Sequence, residues 1–253
     1  MKEEIINKLI DYLKNEDIKY MNLSIPKSIE EKRIMLRGLI NMRIPKEIDE
    51  AILKLEDQLL QIELSEKVVV DAIEIEEIEK NISLYLGDIT TLKADAIVNA
   101  GNEYGLGCFV PNHSCIDNTI HTYSGMRLRL ECEEKLQGNH IKNGDILVCK
   151  GYNLPCKYVI TTVGPQIKKN ITKQDEIDLS NCYKNSLEYA IKNNFKTIVF
   201  PSISTGVFAY PINKAKIIAY NTVKEILKDN DIKVIFNLYS REDYEEYRSL
   251  FKN

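Results

Sequence analysis

Residues 95–102, DAIVNAGN, decide the class of fold. The run AIVNA at 96–100 is short, apolar and rich in β-branched residues, which is typical of a strand buried on both faces. The alternating segment ISLYL at 82–86 predicts another strand. Further short apolar runs predict strands at ILVCK (146–150), YVITTV (158–163), TIVFPSI (197–203) and IKVIFNL (232–238).

Helical patterns lie between these strands. They cover roughly residues 116–131, 179–191, 212–226 and 241–251. This alternation predicts an α/β fold, with helices on both faces of a largely parallel sheet. Ligands of such sheets bind outside the carboxyl ends of the strands. The loops after 96–100 and 197–203 are therefore the candidate site.

The N-terminal part of the chain has a different composition. Of the eleven glycines, only Gly38 precedes Gly87. Apolar residues recur at helical spacing, Ser28 and Glu31 form a capping-box pattern, and Pro45 is placed where another helix would start. We predict a helical cap over residues 1–75 and a larger α/β domain over residues 76–253.

Composition narrows the functional classes. The chain has 253 residues, of which 44% are hydrophobic and 28% charged, as in a globular protein. Its net charge of −4 argues against general nucleic-acid binding. We expect no membrane span and no signal peptide. Six cysteines in such a chain favour a reducing cytoplasm over a disulfide framework.

Both candidate loops are rich in groups that bind polar ligands. The first contains Asn99 and Asn102 among several glycines, and glycine permits close backbone approach. The second is PSISTGVFAYP at 201–211, which leads into a helix. Backbone N–H groups in a Ser/Thr/Gly turn before a helix suit a phosphate or diphosphate. The STG tripeptide alone is a weak signal, and the two loops together are a stronger one.

The segment CFVPNHSC at 108–115 brings together Cys108, His113 and Cys115. Two thiolates and one neutral imidazole offset the charge of a zinc ion, and three protein ligands leave one tetrahedral position open, as in catalytic zinc. Cys132 would be too far away if 116–131 is one helix. Asp117 and His121 are nearer and could compete as ligands, and a chance cluster is the alternative interpretation.

The motifs GDIT (87–90), DAIVNAGN (95–102), CIDNTIHTYSG (115–125) and ISTGVFAYP (203–211) resemble those of macrodomains, in the usual order. The Cys-x4-His-x-Cys segment and the helical IMLRGLINMRIP (34–45) are similar to the zinc-containing bacterial macrodomains. Two positions differ from the usual macrodomain pattern: Gly101 stands where Ala is commoner, and TYSG (122–125) stands where Ala-Ala-Gly is commoner. The resemblance implies a three-layer α/β/α fold with a mixed central sheet and an N-terminal helical extension.

The resemblance also implies residue roles, each with a structural alternative. Asp117 and Asn102 are the implied catalytic residues, although Asp117 could serve only as a charge partner of a helix start. His121 is interpreted as a structural histidine bonded to Asp117 or to backbone. The implied substrate-binding residues are Asp88 and Ile89 for adenine, Asn99 and Asn102 for the distal ribose, and Ser204, Thr205, Gly206, Val207 and Phe208 for the diphosphate and ribose.

Simpler interpretations exist for these residues as well. GDIT could be a tight turn, the two asparagines could cap loop backbone, and Phe208 could be a core aromatic. Cys149, Cys156 and Cys182 are expected to be small apolar residues of the core.

The function implied by the resemblance is removal of mono-ADP-ribose from modified proteins with a loop-bound Zn2+. Implied partners are an ADP-ribosylated substrate such as a lipoylated carrier similar to the glycine-cleavage H protein, and a sirtuin-like ADP-ribosyltransferase. One alternative is a module that binds ADP-ribose without cleaving it. A zinc-stabilised scaffold that contacts RNA is a third hypothesis, which the net charge disfavours.

Overall fold

Seven strands form the central sheet in the computed structural model, which describes residues 2–252. Two shorter strands pair separately. In chain order, the strands are β1 (Val70–Asp71), β2 (Glu77–Glu79), β3 (Ile82–Leu86), β4 (Leu92–Lys93), β5 (Ala96–Ala100), β6 (Ile146–Lys150), β7 (Tyr158–Thr162), β8 (Thr197–Pro201) and β9 (Lys233–Leu238).

The central sheet is mixed. Its order is β2-β3-β9-β8-β5-β7-β6. The five inner strands run parallel, whereas β2 and β6 are antiparallel edge strands. All five predicted long strands after residue 95, and the strand at 82–86, are present within two residues of their predicted ends.

Eight α-helices accompany these strands in the described residues. They are α1 (Lys2–Asn15), α2 (Ile29–Met42), α3 (Glu50–Ser65), α4 (Ile116–Ser124), α5 (Met126–Leu136), α6 (Lys173–Lys192), α7 (Ile212–Leu227) and α8 (Arg241–Arg248).

Successive side chains of each strand point to opposite faces of the sheet, and both faces are covered by helices. Ile97 and its neighbours on one face pack against α4 and α5. Val98 and its neighbours on the other face pack against α6, α7 and α8. The predicted three-layer α/β/α architecture is therefore confirmed.

Helices α1, α2 and α3 bury a separate apolar cluster against one another. Met126 of α5 belongs to the same cluster, so these helices pack onto the helical layer above the sheet. The division of the chain at residues 75 and 76 stays a prediction, and the end residues 1 and 253 of the two predicted ranges lie outside the described part.

The predicted single helix over 116–131 is wrong. Gly125 has φ +94° and separates α4 from α5. The first N–H of α5, on Met126, donates to Glu56 Oε2 of α3 at 2.8 Å. A Cβ atom at Gly125 would lie 3.0 Å from that same oxygen. The break thus allows the Glu56 carboxylate of α3 to accept a backbone N–H that would otherwise have no partner at the start of α5.

Two N-terminal predictions also need correction. The third helix begins at Glu50 rather than near Pro45, because the Asp49 side chain accepts the N–H of Ala51 and caps it there. At α2, Ser28 accepts the Glu31 N–H and donates to the Glu31 carboxylate. The reciprocal bond from that carboxylate to backbone, which completes a capping box, is not among the contacts of these described residues.

No helix within residues 2–252 combines the length and the apolar character needed to cross a lipid bilayer.

Candidate active site

The two candidate loops and the GDIT segment lie along one edge of the sheet. Strands β3, β9, β8 and β5 are parallel neighbours, so their carboxyl ends lie side by side. Residues 87–91 follow β3, residues 101–115 follow β5, and residues 202–210 follow β8. This edge is where an α/β sheet binds its ligands.

Asp117 lies at the start of α4 and is held by two asparagines from the β5 loop. Asn99 Nδ2 donates to Asp117 Oδ1 at 2.7 Å, and Asn102 Nδ2 donates to Asp117 Oδ2 at 3.2 Å. Each carboxylate oxygen therefore has its own amide donor. This fixes the plane and direction of the carboxylate, which is 5% exposed.

Burial raises the pKa of Asp117 to about 6, against the opposing effects of the Asn99 amide, the Arg129 charge and the Asn102 amide. Asn99 is itself fully buried, and its Oδ1 has no hydrogen-bond partner among the described residues. Buried acceptors are almost always paired in folded proteins. The Asn99 carbonyl oxygen is thus a buried acceptor at the end of β5 without a partner in the described part of the chain.

His121 is buried one helical turn from Asp117, but the predicted hydrogen bond is absent. Its Nε2 is 3.7 Å from Asp117 Oδ1, beyond bonding distance, and neither ring nitrogen has a partner within residues 2–252. Burial, aided by the nearby Arg129 charge, lowers the His121 pKa to about 3. The ring is neutral and packs against the backbone at Gly107, where a Cβ would come within 2.7 Å of it.

The side-chain donors of Cys108, His113 and Cys115 converge to within 4.8 Å of one another, and all three residues are half-buried. Cys108 Sγ is 3.6 Å from His113 Nδ1. With zinc bonds of about 2.3 Å to sulfur and about 2.0 Å to nitrogen, two tetrahedral ligands lie about 3.5 Å apart. The donor set and its spacing therefore fit a zinc ion.

Cys132 and Asp117, two of the other suggested metal ligands, have other partners, and His121 is not in the group of donors that converge. Cys132 is fully buried, and its Sγ lies 3.6 Å from Cys149 Sγ. Both Asp117 oxygens accept amide hydrogen bonds. Burial raises the Cys115 pKa to about 11, with the neighbouring Cys108 and Asp117 adding to the effect. A cation at this position would counter that cost by favouring the thiolate.

Asp88 follows β3 and has one oxygen committed to its own turn. Its Oδ1 accepts the N–H and the hydroxyl of Thr90, at 2.9 and 2.7 Å. Its Oδ2 faces Lys67 Nζ at 3.4 Å. Ile89 is 4% exposed and packs in the core beneath α4 and α5. The structure thus contains the tight turn and leaves Asp88 Oδ2 at the edge where the loops meet.

The loop after β8 is a tight turn that is closed by backbone hydrogen bonds within residues 202–210. Ser204 has φ +66° and Ala209 has φ +57°. Ser204 O accepts the Tyr210 N–H, and Gly206 O accepts the Ala209 N–H. Thr205 Oγ1 donates to Ser202 O at 3.0 Å.

The tip of this loop projects outwards. Val207 is 71% exposed, and a Cβ at Gly206 would meet no atom within 4 Å. Phe208 packs beside the small apolar cluster that contains Val163. The loop therefore offers open backbone at its tip while Phe208 anchors its end.

Sequence reasoning missed the residues that brace this site from outside the loops: Arg37, Asn41, Lys67, Asn118 and Arg129. Arg37 and Asn41 do lie within the stretch IMLRGLINMRIP that carried the family resemblance. Asn118 lies within another such stretch, CIDNTIHTYSG, whereas nothing in the local pattern distinguishes Lys67 and Arg129 from ordinary helix or loop residues.

Known proteins are similar to this chain over most of its length. The family described as Macro domain matches residues 98–219. A protein-ADP-ribose hydrolase of Treponema medium is 39% identical over 250 residues, covering 96% of each chain. The protein of the same name from Staphylococcus aureus strain MRSA252 is 40% identical over 252 residues, covering 96% of this chain and 94% of that one.

A solved structure shares the fold of this chain. The Trypanosoma brucei macrodomain in complex with ADP-ribose superposes with a TM-score of 0.67 at 26% identity, and the match covers 90% of this chain and 97% of that one.

Proposed function

This chain belongs to the macrodomain family, and from that premise we propose that it hydrolyses the bond between mono-ADP-ribose and a modified protein. Two relatives with 39% and 40% identity over nearly the whole chain carry the name protein-ADP-ribose hydrolase. The observation that carries the proposal is the Asp117 carboxylate, held by Asn99 and Asn102 beside the Cys108–His113–Cys115 cluster.

In this proposal, each of the three loops binds a different part of ADP-ribose. Asp88 Oδ2 accepts the exocyclic amine of adenine, and Ile89 supports the turn from below. The diphosphate and adjoining ribose bind to Ser204, Thr205, Gly206, Val207 and Phe208. This assignment is supported by the positive φ angles of Ser204 and Ala209 and by the open space at Gly206, since such turns can form a concave site for an anion. Asn99 Oδ1 and the Asn102 amide lie at the distal ribose, where the scissile bond belongs.

The proposed metal ligands are Cys108, His113 and Cys115, which would hold Zn2+. Their donors have the chemistry and spacing of a three-ligand catalytic zinc site. When bound, zinc supplies Lewis acidity at the end of the site that contains Asp117.

Hydrolysis adds one water across the ribose–protein bond. The ribose receives the hydroxyl group, and the released protein side chain receives a proton. Asp117 orients the water or accepts its proton. Because two amides fix both carboxylate oxygens, the reacting geometry is organised before substrate arrives.

The alternative is a reader that binds ADP-ribose without cleaving it. A buried, doubly anchored carboxylate argues against it, because binding a neutral hydroxyl does not require a buried charge, and burying one is costly.

We also propose a setting for the reaction. The partners would be an ADP-ribosylated protein, such as a lipoylated carrier similar to the glycine-cleavage H protein, and a sirtuin-like transferase that installs the modification. A cytoplasmic location is supported by the six cysteines, none of which is paired in a disulfide within the described residues, since a reducing compartment keeps cysteines in that state.

The experiment is a mass-spectrometric time course on an ADP-ribosylated protein. Wild type should release ADP-ribose with turnover. Asp117→Asn, which keeps the side-chain volume, should bind free ADP-ribose but lose at least about 100-fold in rate, as typical for a general base. Stoichiometric binding by wild type with no product would support the reader and contradict the hydrolase.

A further inference from the structure

The metal loop, residues 108–115, lies against helix α2 of the N-terminal extension. Arg37 of α2 donates from Nη2 to the carbonyl oxygen of His113 at 3.0 Å. The same guanidinium donates to Asn118 Oδ1, at 2.7 Å from Nη2 and 3.3 Å from Nε. One side chain of the extension therefore holds the backbone of a proposed metal ligand and a residue of α4 at once.

Asn41, one turn further along α2, holds the residue before His113. Asn41 Oδ1 accepts the N–H of Asn112 at 3.0 Å. Its Nδ2 donates to Thr122 Oγ1 of α4 at 3.3 Å, and Asn41 is 1% exposed. Asn112 has φ +56°, an uncommon conformation for a residue other than glycine. The contact from Asn41 helps to hold the turn that brings His113 towards Cys108.

Gly38 explains how the loop approaches the helix so closely. A Cβ atom at this position would lie 3.1 Å from Asn112 Nδ2 and 3.6 Å from Pro111 Cβ. Gly38 is the only glycine in the first 86 residues. Glycine in a helix costs about 1 kcal/mol relative to alanine, and here it gives the metal loop room between Arg37 and Asn41.

Asn118 connects this contact to the other end of the loop. It is fully buried, and its Nδ2 donates to the carbonyl oxygens of Val110 and Cys108, at 3.0 and 3.4 Å. Its backbone N–H lies 3.4 Å from Cys115 Sγ. The contact from Arg37 to Asn118 thus extends to the backbone or side chain of both cysteine ligands.

We propose that Arg37 and Asn41 are positioning residues of the metal site, so that the N-terminal extension is part of that site. The proposal rests on the proposed function for the identity of the metal. Without these contacts the loop must be ordered when the metal binds, and fixing each backbone residue costs conformational entropy. Loss of either contact should therefore weaken metal affinity. Residues that orient metal ligands typically change affinity by about 10- to 100-fold.

The test measures zinc affinity in the full-length chain, without substrate, by competition with a chromophoric chelator. Arg37→Ala and Asn41→Ala should each bind Zn2+ about 10- to 100-fold more weakly. Arg37→Lys can keep only part of the forked contact and should fall between wild type and Arg37→Ala. The absorption spectrum of bound Co2+ reports ligand geometry. It should differ from that of wild type more in Arg37→Ala than in Arg37→Lys.

Arg33→Ala is the matched control. Arg33 is on the same helix, one turn earlier, and pairs with Glu63 of α3 instead of the loop. The Arg33→Ala variant should keep wild-type zinc affinity within about threefold, because the hydrogen bonds of Arg33 within the described residues go to Glu63 and not to the metal loop. Urea unfolding of all metal-free variants separates this effect from general stability, because a merely structural role would make stability fall while affinity stays constant.

Arg37→Ala and Asn41→Ala with wild-type zinc affinity would overturn the inference and leave the proposed hydrolase intact. Failure of the proposed function can also be distinguished from failure of this inference. A wild-type chain that binds zinc without turning over substrate would contradict the proposed function, while the affinities would still decide the role of α2. A wild-type chain that binds no zinc would contradict both.

Discussion

Asn99 Nδ2 lies 2.7 Å from Asp117 Oδ1, and both residues are buried where β5 ends and α4 begins. Eighteen positions of chain separate them, and the whole metal loop lies between. The contact therefore fixes the position of the carboxylate relative to the end of the β5 strand.

Asn99→Ala should slow hydrolysis more than it weakens binding. A hydrogen bond to a charged group contributes about 1.5–3 kcal/mol, or roughly 10- to 150-fold in rate if it acts in the transition state. Single-turnover rates at saturating enzyme would measure the effect. Thr161→Val is the control, since Thr161 Oγ1 contacts the same amide at 3.3 Å but does not contact Asp117. Equal losses in the two variants would argue against a role in holding Asp117.

Asp88→Ala should weaken binding of free ADP-ribose by about 10- to 100-fold, because one charged acceptor of the adenine amine is removed. Titration calorimetry would measure it. Asp71→Ala is a matched control, because Asp71 caps a similar short turn by accepting the Ile73 N–H and also faces a lysine. If both variants keep wild-type affinity, Asp88 is only a turn residue.

Gly107→Ala should destabilise the protein more than Gly138→Ala. Both glycines have positive φ, +83° and +78°, so both variants share the backbone strain. Only at Gly107 would the new Cβ meet an obstacle, the His121 ring at 2.7 Å. Overpacking of this kind costs about 1–3 kcal/mol. Urea denaturation would measure the difference, and equal losses would show that the His121 ring yields without cost.

Glu56→Gln should change how stability depends on pH. Burial raises the Glu56 pKa to about 7, against the Met126 N–H bond and the charges of Arg33 and Arg129, while Asp57 raises it further. The folded state thus holds this proton more tightly than the unfolded state. The associated stability is present below the ordinary value of 4.5 and is lost as pH rises through about 7.

The wild-type free energy of unfolding should therefore fall relative to Glu56→Gln between about pH 5 and pH 8. The difference should reach about 3 kcal/mol at most, at 1.36 kcal/mol for each pKa unit. Urea denaturation across this range provides the measurement. Parallel curves for the two proteins would contradict a buried carboxyl with a raised pKa.

The sheet and its loops could be predicted from sequence because their signals are local. AIVNA and TIVFP are apolar runs of strand length, and the polar residues that end them must lie at one edge of a parallel sheet. The Cys108–His113–Cys115 group is also local, since its members fall within eight positions.

The missed features depend on contacts between distant residues. Gly125 ends α4 because Glu56, 69 positions earlier, accepts the first N–H of α5. Arg37 contacts His113 from 76 positions away, and helical periodicity cannot reveal this. Gly38 is exceptional in the sequence as the single glycine before Gly87, but the reason for it is the close approach of Asn112 and Pro111, which belong to a distant segment.

Zinc-dependent hydrolysis is tested most directly by removing the metal and following turnover and thermal unfolding on the same sample. The α/β core is large enough to fold without one ion. Chelation should therefore abolish hydrolysis of ADP-ribosylated protein while the melting temperature changes little, and added Zn2+ should restore the rate. Cys108→Ala, His113→Ala and Cys115→Ala should behave like the chelated protein. Full turnover in a verified zinc-free sample, or activity lost only as the protein unfolds, would contradict the account.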